Sequence, residues 1–272
     1  MSKYINPYTD FGFKKLFGEE ANKDLLIDFL NTILPEKHRI KSLSFRNTEQ
    51  LGPVNADRKA IYDIFCEAEN GEKFIVEMQK AKQLYFKDRA LFYAAFPIRD
   101  QAEKGDEWEF ELKAVYFVGI LDFEYDENEE RRKFKRDVSL KDQDGDLFYE
   151  KLRLIFLQMP LFTKTESELE TRQDKWLYFL KNLVRFDQIP VILNEPIFEK
   201  AFETAEIARM SKTELTQYEA NLKVYRDNYA VLQTARYEEK IEIARNMKKD
   251  GLPSEQITKY TGLSKKEIEE LN

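Results

Sequence analysis

Cysteine and histidine are almost missing from this chain: each occurs once, as Cys66 and His38. A lone cysteine excludes an intramolecular disulfide framework, which fits a reducing compartment and sets the expectation of a cytoplasmic protein. A structural zinc site takes about four Cys or His ligands, so that class is excluded as well. His38 lies in PEKHRIKS, between an apolar helix and a strand, and reads as a loop histidine. Glycine and proline are also scarce, at nine and eight residues of 272, which argues against a loop-dominated or disordered chain. The opening stretch MSKYINPYTD has no apolar signal core, and no later apolar run is long enough to cross a bilayer, so no membrane partner is expected. Positive charge is in deficit: 44 Lys and Arg against 51 Asp and Glu give a net charge of −7. Phosphate binding draws on Lys and Arg, so a nucleic-acid role here requires a local basic cleft. A Cys-His dyad would have to use the one pair available, so hydrolytic chemistry is expected to rest on carboxylates and a metal.

What is present suffices for a substantial core. Hydrophobic residues make up 42% and aromatics 14% of the chain. Asp10 can cap a short helix over FGFKKLFG, and Asn22 a second one, whose stripe Leu25, Leu26, Phe29, Leu30, Ile33 and Leu34 ends at Pro35. A strand is predicted at Ile40–Arg46 and a hairpin over residues 60–79 around Asn70-Gly71. A helix follows from about Leu84 to Lys104, bent at Pro97. Further strands are expected at 111–123, 134–140 and 149–157, with DENEERRKFKRD as a solvated connector. Beyond Met159 strand signals fade. Leu215, Tyr218, Leu222, Tyr225, Tyr229 and Leu232 recur at helical spacing and predict one long helix with an apolar seam. In the tail, Ser254 can cap one short helix, Thr261-Gly262 marks a turn, and Ser264 with Glu267 forms a capping box. The expected plan is α/β: a mixed sheet flanked by helices over 1–160, then a helical region over 161–272 ending in a helix-turn-helix-like tail.

The hairpin carries the chemistry. Along Ile61–Glu67 alternate side chains share a face, so Asp63 lies with Ile61, Phe65 and Glu67, while Ile75, Glu77 and Gln79 share a face of the return strand. The turn decides whether the acids meet. A two-residue type I′ turn at Asn70-Gly71 sets Asp63 opposite Met78 and sends Glu77 to the other surface. A three-residue loop, Glu69-Asn70-Gly71 with Gly71 left-handed, sets Asp63 opposite Glu77 with Cβ atoms about 5 Å apart. Asn-Gly alone favours the shorter turn, and the residue types favour the longer, so both remain open here. Two facing carboxylates repel unless a proton or cation sits between them, and Mg²⁺ is commonly held by one or two carboxylates with water and phosphate.

The pattern Asp63 … Glu77-Met78-Gln79 resembles the PD-(D/E)XK nuclease motif in an E-x-Q form. The chain is similar to the Rpn family of recombination-promoting nucleases and transposase-like proteins. The likeness rests on TDFGFKKLFG, KDLLIDFLNTIL, YDIFCEAENGEKFIVEMQ and DRALFYAA in the same order, and on the tail Thr261–Ser264. The resemblance implies a restriction-endonuclease-like fold and a metal-dependent DNA endonuclease using Mg²⁺ or Mn²⁺. It implies that Asp63 and Glu77 are metal ligands and that the Met78 carbonyl completes the set. Gln79 stands where the family motif has lysine, and Asp10 matches an acidic position suited to a further metal or water contact. Lys14, Lys15, Lys80, Lys82, Lys87 and Arg89 are the expected cationic rim for DNA, and Tyr93 lies one helical turn from Arg89. An alternative on the same fold is a catalytically weak or inactive protein of DNA binding or assembly, forming a homo-oligomer through its C-terminal helices.

Overall fold

The computed structural model describes residues 2–50, 60–102, 111–125 and 132–271. They form two compact units, residues 1–218 and 219–272.

The first unit begins with two helices, α1 (Asp10–Phe17) and α2 (Lys23–Ile33). Thr9, not Asp10, caps α1: its hydroxyl accepts from Gly12 N at 2.9 Å, leaving Asp10 as the first helical residue. Asn22 precedes α2 but does not cap it with its side chain. Its amide instead donates to the Lys15 carbonyl at 2.9 Å, tying the two helices together. The predicted stripe of α2 is buried throughout, including Leu34 just past its end.

Six strands form one sheet: β1 (Leu43–Phe45), β4 (Ile64–Ala68), β5 (Lys73–Gln79), β6 (Val115–Leu121), β7 (Lys135–Lys141) and β8 (Leu147–Gln158). Their order is β1-β4-β5-β6-β8-β7. The central β5, β6 and β8 run parallel, and the flanking pairs are antiparallel. A separate ribbon pairs β2 (Glu49–Gln50) with β3 (Ala60–Ile61). The parallel strands are apolar on both faces, as burial under covering layers requires; all seven residues of β6 are buried. Helix α3 (Phe86–Arg99) covers one face and brings Phe86, Ala90, Ala94 and Phe96 onto Phe65, Ile75, Phe117 and Phe156. Pro97 lies in its last turn. The ends of the helix and connector expected at 103–104 and 126–131 lie outside the described residues.

The boundary expected at residue 160 is not where the units divide. Helices α4 (Arg172–Asn182) and α5 (Pro196–Ala205) belong to the first unit because their aromatic residues complete its core. Trp176 packs against Phe17, Phe29 and Phe198, and its indole N–H donates to Asp28 at 2.6 Å. Each such buried ring stabilises the fold by roughly 2–3 kcal/mol.

Helix α6 (Lys212–Lys249) is the predicted long helix, 38 residues in all. Its seam is less covered than the spacing suggested: Tyr218 is buried, Leu215, Leu222, Tyr225 and Leu232 are half-buried, and Tyr229 is exposed. The second unit ends in α7 (Ser254–Thr261) and α8 (Lys265–Glu270), with Pro253 at the N-cap of α7 and Ser254 inside it. Ser264 and Glu267 form the predicted capping box. Ile257, Leu263, Ile268 and Leu271 close a small core with Ala244.

Candidate active site

Register comes first. Phe65 pairs with Ile75 and Ile64 with Val76, which extends to Asp63 against Glu77. This is the register of the longer loop. Ala68 N–H donates to Glu72 O at 2.9 Å and Gly71 N–H to Ala68 O at 2.9 Å, while Gly71 takes φ +84°. That left-handed backbone suits glycine, since a Cβ there is strained. The Asn70 side chain holds the same turn by accepting from Glu72 N at 3.1 Å. His38 is not a free loop residue: its Nδ1 lies 2.8 Å from Glu72 Oε1, fastening the turn end of β5.

At the other end of the hairpin the chain bends at Asp63, just before β4, and the ladder gives way to side chains. Met78 N–H donates to Asp63 Oδ2 at 2.8 Å, and Asp63 N–H donates to Glu77 Oε1 at 3.0 Å. The Gln79 amide donates to Glu77 Oε2 at 3.0 Å, and the Arg89 guanidinium approaches the same oxygen to 3.8 Å. Glu77 is 1% exposed. Burial, reinforced by Asp63, pushes its carboxyl up to about 8. Burial also raises Asp63, with Asp10 acting in the same direction and Lys14 and Lys80 opposing. Beside Glu77 on β6 sits Gly119, where a Cβ would come within 3.0 Å of the Phe156 ring. Absence of a side chain there lets Phe156 of β8 pack close over β6, the strand next to the one that carries the acid.

No curated protein and no solved structure matches the chain. Residues 7–235 match the family described as PD-(D/E)XK nuclease family transposase. The chain belongs to that family. Residues 237–272 match the C-terminal HTH domain of the Rpn/YhgA-like nuclease family. The mixed six-stranded sheet with its flanking helices is accordingly a restriction-endonuclease-like fold. PD-(D/E)XK nucleases in general use divalent metals, and carboxylates are the hard oxygen donors that such ions take.

The remaining residues singled out in the sequence divide into two groups. Arg89 and Tyr93 act together, the guanidinium lying 4.8 Å above the tyrosine ring, and Lys80 is near enough to bear on Asp63. Lys82 is exposed beyond the end of β5. Lys14 is paired with Asp10 at 2.9 Å. Asp10 therefore reaches Asp63 through its field, and among the described residues no three His, Cys, Asp or Glu gather to hold an ion. Lys15 is committed elsewhere, at 2.6 Å from Glu214 and 3.2 Å from Glu19. Lys87 lies over the Tyr125 ring.

Tyr62 and Gly119 were not legible as site residues. Tyr62 is buried next to Asp63, and its hydroxyl donates to the Tyr93 carbonyl at 3.0 Å, so it joins the bend to α3. Only its position beside the acid hinted at this. Asp122, just past β6, is held up at about 6 by burial, with Lys181 opposing; its N–H donates to the Gln79 carbonyl at 2.9 Å.

Proposed function

We propose that this chain is a Mg²⁺- or Mn²⁺-dependent DNA endonuclease that hydrolyses phosphodiester bonds at the Asp63–Glu77 pair. One observation carries the reading: a buried carboxylate, Glu77, and a half-buried one, Asp63, both with raised proton affinity, face each other across a hairpin, each accepting a backbone N–H at the partner acid or its neighbour. A protein does not bury like charges together without a proton or cation to share. Asp63 and Glu77 would hold the metal, together with the Met78 carbonyl. That carbonyl lies on the same strand edge as the Met78 N–H, which already reaches Asp63. When bound, a divalent ion supplies Lewis-acid polarisation of the phosphate and an acidified water.

The chain's own residues do the rest. Crossed hydrogen bonds hold both carboxylates in place, and loading a cation releases the proton that Glu77 otherwise retains. Gln79 orients Glu77 Oε2 but brings no positive charge. Arg89 beside Glu77, with Lys14 and Lys80 near enough to act on Asp63, takes over the neutralisation of phosphate. The family's C-terminal helix-turn-helix supports docking of this end of the chain on DNA.

Nicking of supercoiled plasmid by the full-length protein tests this reading. Wild type should nick with Mg²⁺ or Mn²⁺ and not in EDTA, and Asp63→Ala should lose about a hundredfold or more while keeping its unfolding temperature. The neutral Gln79 favours a second reading, a DNA-binding protein with little chemistry. Tight DNA binding with no nicking in either metal would select it.

A further inference from the structure

Next to the acid pair, the connection from β5 into α3 forms a half-open groove of about 490 Å³. Its walls are unusual for a surface. Leu84 is 86% exposed, Tyr85 70% and Phe92 43%, and all three line the same groove with Tyr93. Large apolar side chains placed together in water usually mark a contact site. Gln83 and Asp88 supply hydrogen-bonding groups at its polar edge.

Arg89 belongs to both places. Its guanidinium lies over Tyr93 at 4.8 Å, donates to Gln83 Oε1 at 3.0 Å, and reaches to 3.8 Å from Glu77 Oε2. A phosphate drawn to Arg89 beside the acid pair therefore delivers the attached sugar and base to the groove. The chemistry of the walls fits a base and not a second phosphate: flat aromatic faces, one aliphatic edge, and one amide and one carboxylate that can pair with ring N–H and carbonyl groups. Bases within a duplex have their faces covered by neighbours, so only an unstacked base presents a face to Tyr85 or Phe92.

We propose that this groove binds an unstacked nucleobase of the strand engaged at Asp63 and Glu77, so that the preferred substrate has unpaired nucleotides beside the attacked phosphate. The inference rests on the nuclease reading for the location of the strand, but its test does not need cleavage. An oligonucleotide carrying 2-aminopurine is titrated with the full-length protein in EDTA, once single-stranded and once annealed to its complement. Stacking on an aromatic ring quenches the single-stranded probe. Tyr85→Ala and Phe92→Ala should abolish the quench and weaken single-strand binding about tenfold, with duplex affinity unchanged. Leu84→Ala, at a side chain in water, should weaken it less and cannot act by unfolding the protein.

Absence of quenching with wild type, or equal loss for single strand and duplex, overturns the proposal. Parallel plasmid nicking separates the two readings. Metal-dependent nicking without quenching sinks the base site and leaves the nuclease. Quenching lost in Tyr85→Ala, without nicking in any metal, sinks the nuclease and leaves the base site.

Discussion

Asp63 and Glu77 are held face to face by crossed backbone bonds: the Asp63 N–H binds the Glu77 carboxylate, and the N–H of Met78, next to Glu77, binds the Asp63 carboxylate. Each acid is thus fixed by the strand that bears the other. The arrangement keeps a buried acid against a half-buried one at the expense of their ionisation, and the consequences can be measured.

Stability should fall as pH rises through about 8 when no divalent ion is present. Glu77 is raised from the ordinary 4.5 to about 8, so the folded chain holds a proton that the unfolded chain releases. That contribution is complete below 4.5 and is lost through the window up to about 8; it amounts to a few kcal/mol. Glu77→Gln should flatten the profile, being more stable than wild type above neutral pH. Thermal unfolding in EDTA from pH 5 to 9 reads both curves, and parallel curves would refute the assignment.

Gln79→Lys should shift this profile. An ammonium in place of the amide, now 3.0 Å from Glu77 Oε2, favours the charged carboxylate. A nearby opposite charge moves a carboxyl by roughly 1–3 pH units. The window of stability loss should move downward, and nicking at neutral pH should increase. The first result is independent of activity, so a silent enzyme does not hide it.

Arg89→Ala removes the guanidinium that lies against Glu77 and over Tyr93. Its loss should raise the proton affinity of Glu77 further and weaken DNA binding. If Arg89 meets one phosphate, the slope of log affinity against log salt should become shallower by about one. An unchanged slope would restrict Arg89 to an internal role.

Gly71→Val tests the turn. Its φ of +84° is strained for a side chain, and the added atoms would also crowd Lys113. The expected cost is about 1–2 kcal/mol in chemical denaturation. Nicking should fall more than this stability loss explains, since a displaced turn loosens the register that opposes the acids.

In the C-terminal unit, Ile268→Ala empties the centre of a five-residue core. A cost of about 2–5 kcal/mol exceeds what so small a cluster can bear. Hydrogen exchange should show α7 and α8 losing protection, while the sheet of the first unit keeps it.

Much of this molecule was legible in its residues because local patterns decided local structure. The stripe of α2, the apolar runs of β6 and β8, and the Ser264–Glu267 box each state their element in a few residues. The hairpin was legible up to one alternative, and Gly71 shows why. Asn-Gly permits both loops; the chain adopts the one with Gly71 left-handed, and both faces of the hairpin are buried, so the apolar pattern alone could not choose between them. What could not be seen came from distant partners. One local exception is the cap of α1, where Thr9 displaces Asp10 because its hydroxyl, donating to the Asn6 carbonyl at 2.8 Å, is held at the helix start. The first compact unit runs past residue 160 to 218 because α4 and α5 fold back onto Phe17 and Phe29, a long-range packing decision that leaves no mark in strand or helix propensity. Lys15 was indistinguishable from Lys14 until Glu214 appeared beside it.

The two acids are joined by a single hairpin, with only 14 residues of chain from one to the other. Closing so short a loop costs little entropy, so the pair can form early, before the crossover through α3 delivers β6. The parallel strands then bury a site whose pairing is already set. Geometry and proton affinity are therefore inherited from different parts of the chain: damage in β8 or α4 should loosen the burial around the acids and let Glu77 ionise, yet leave them opposite each other.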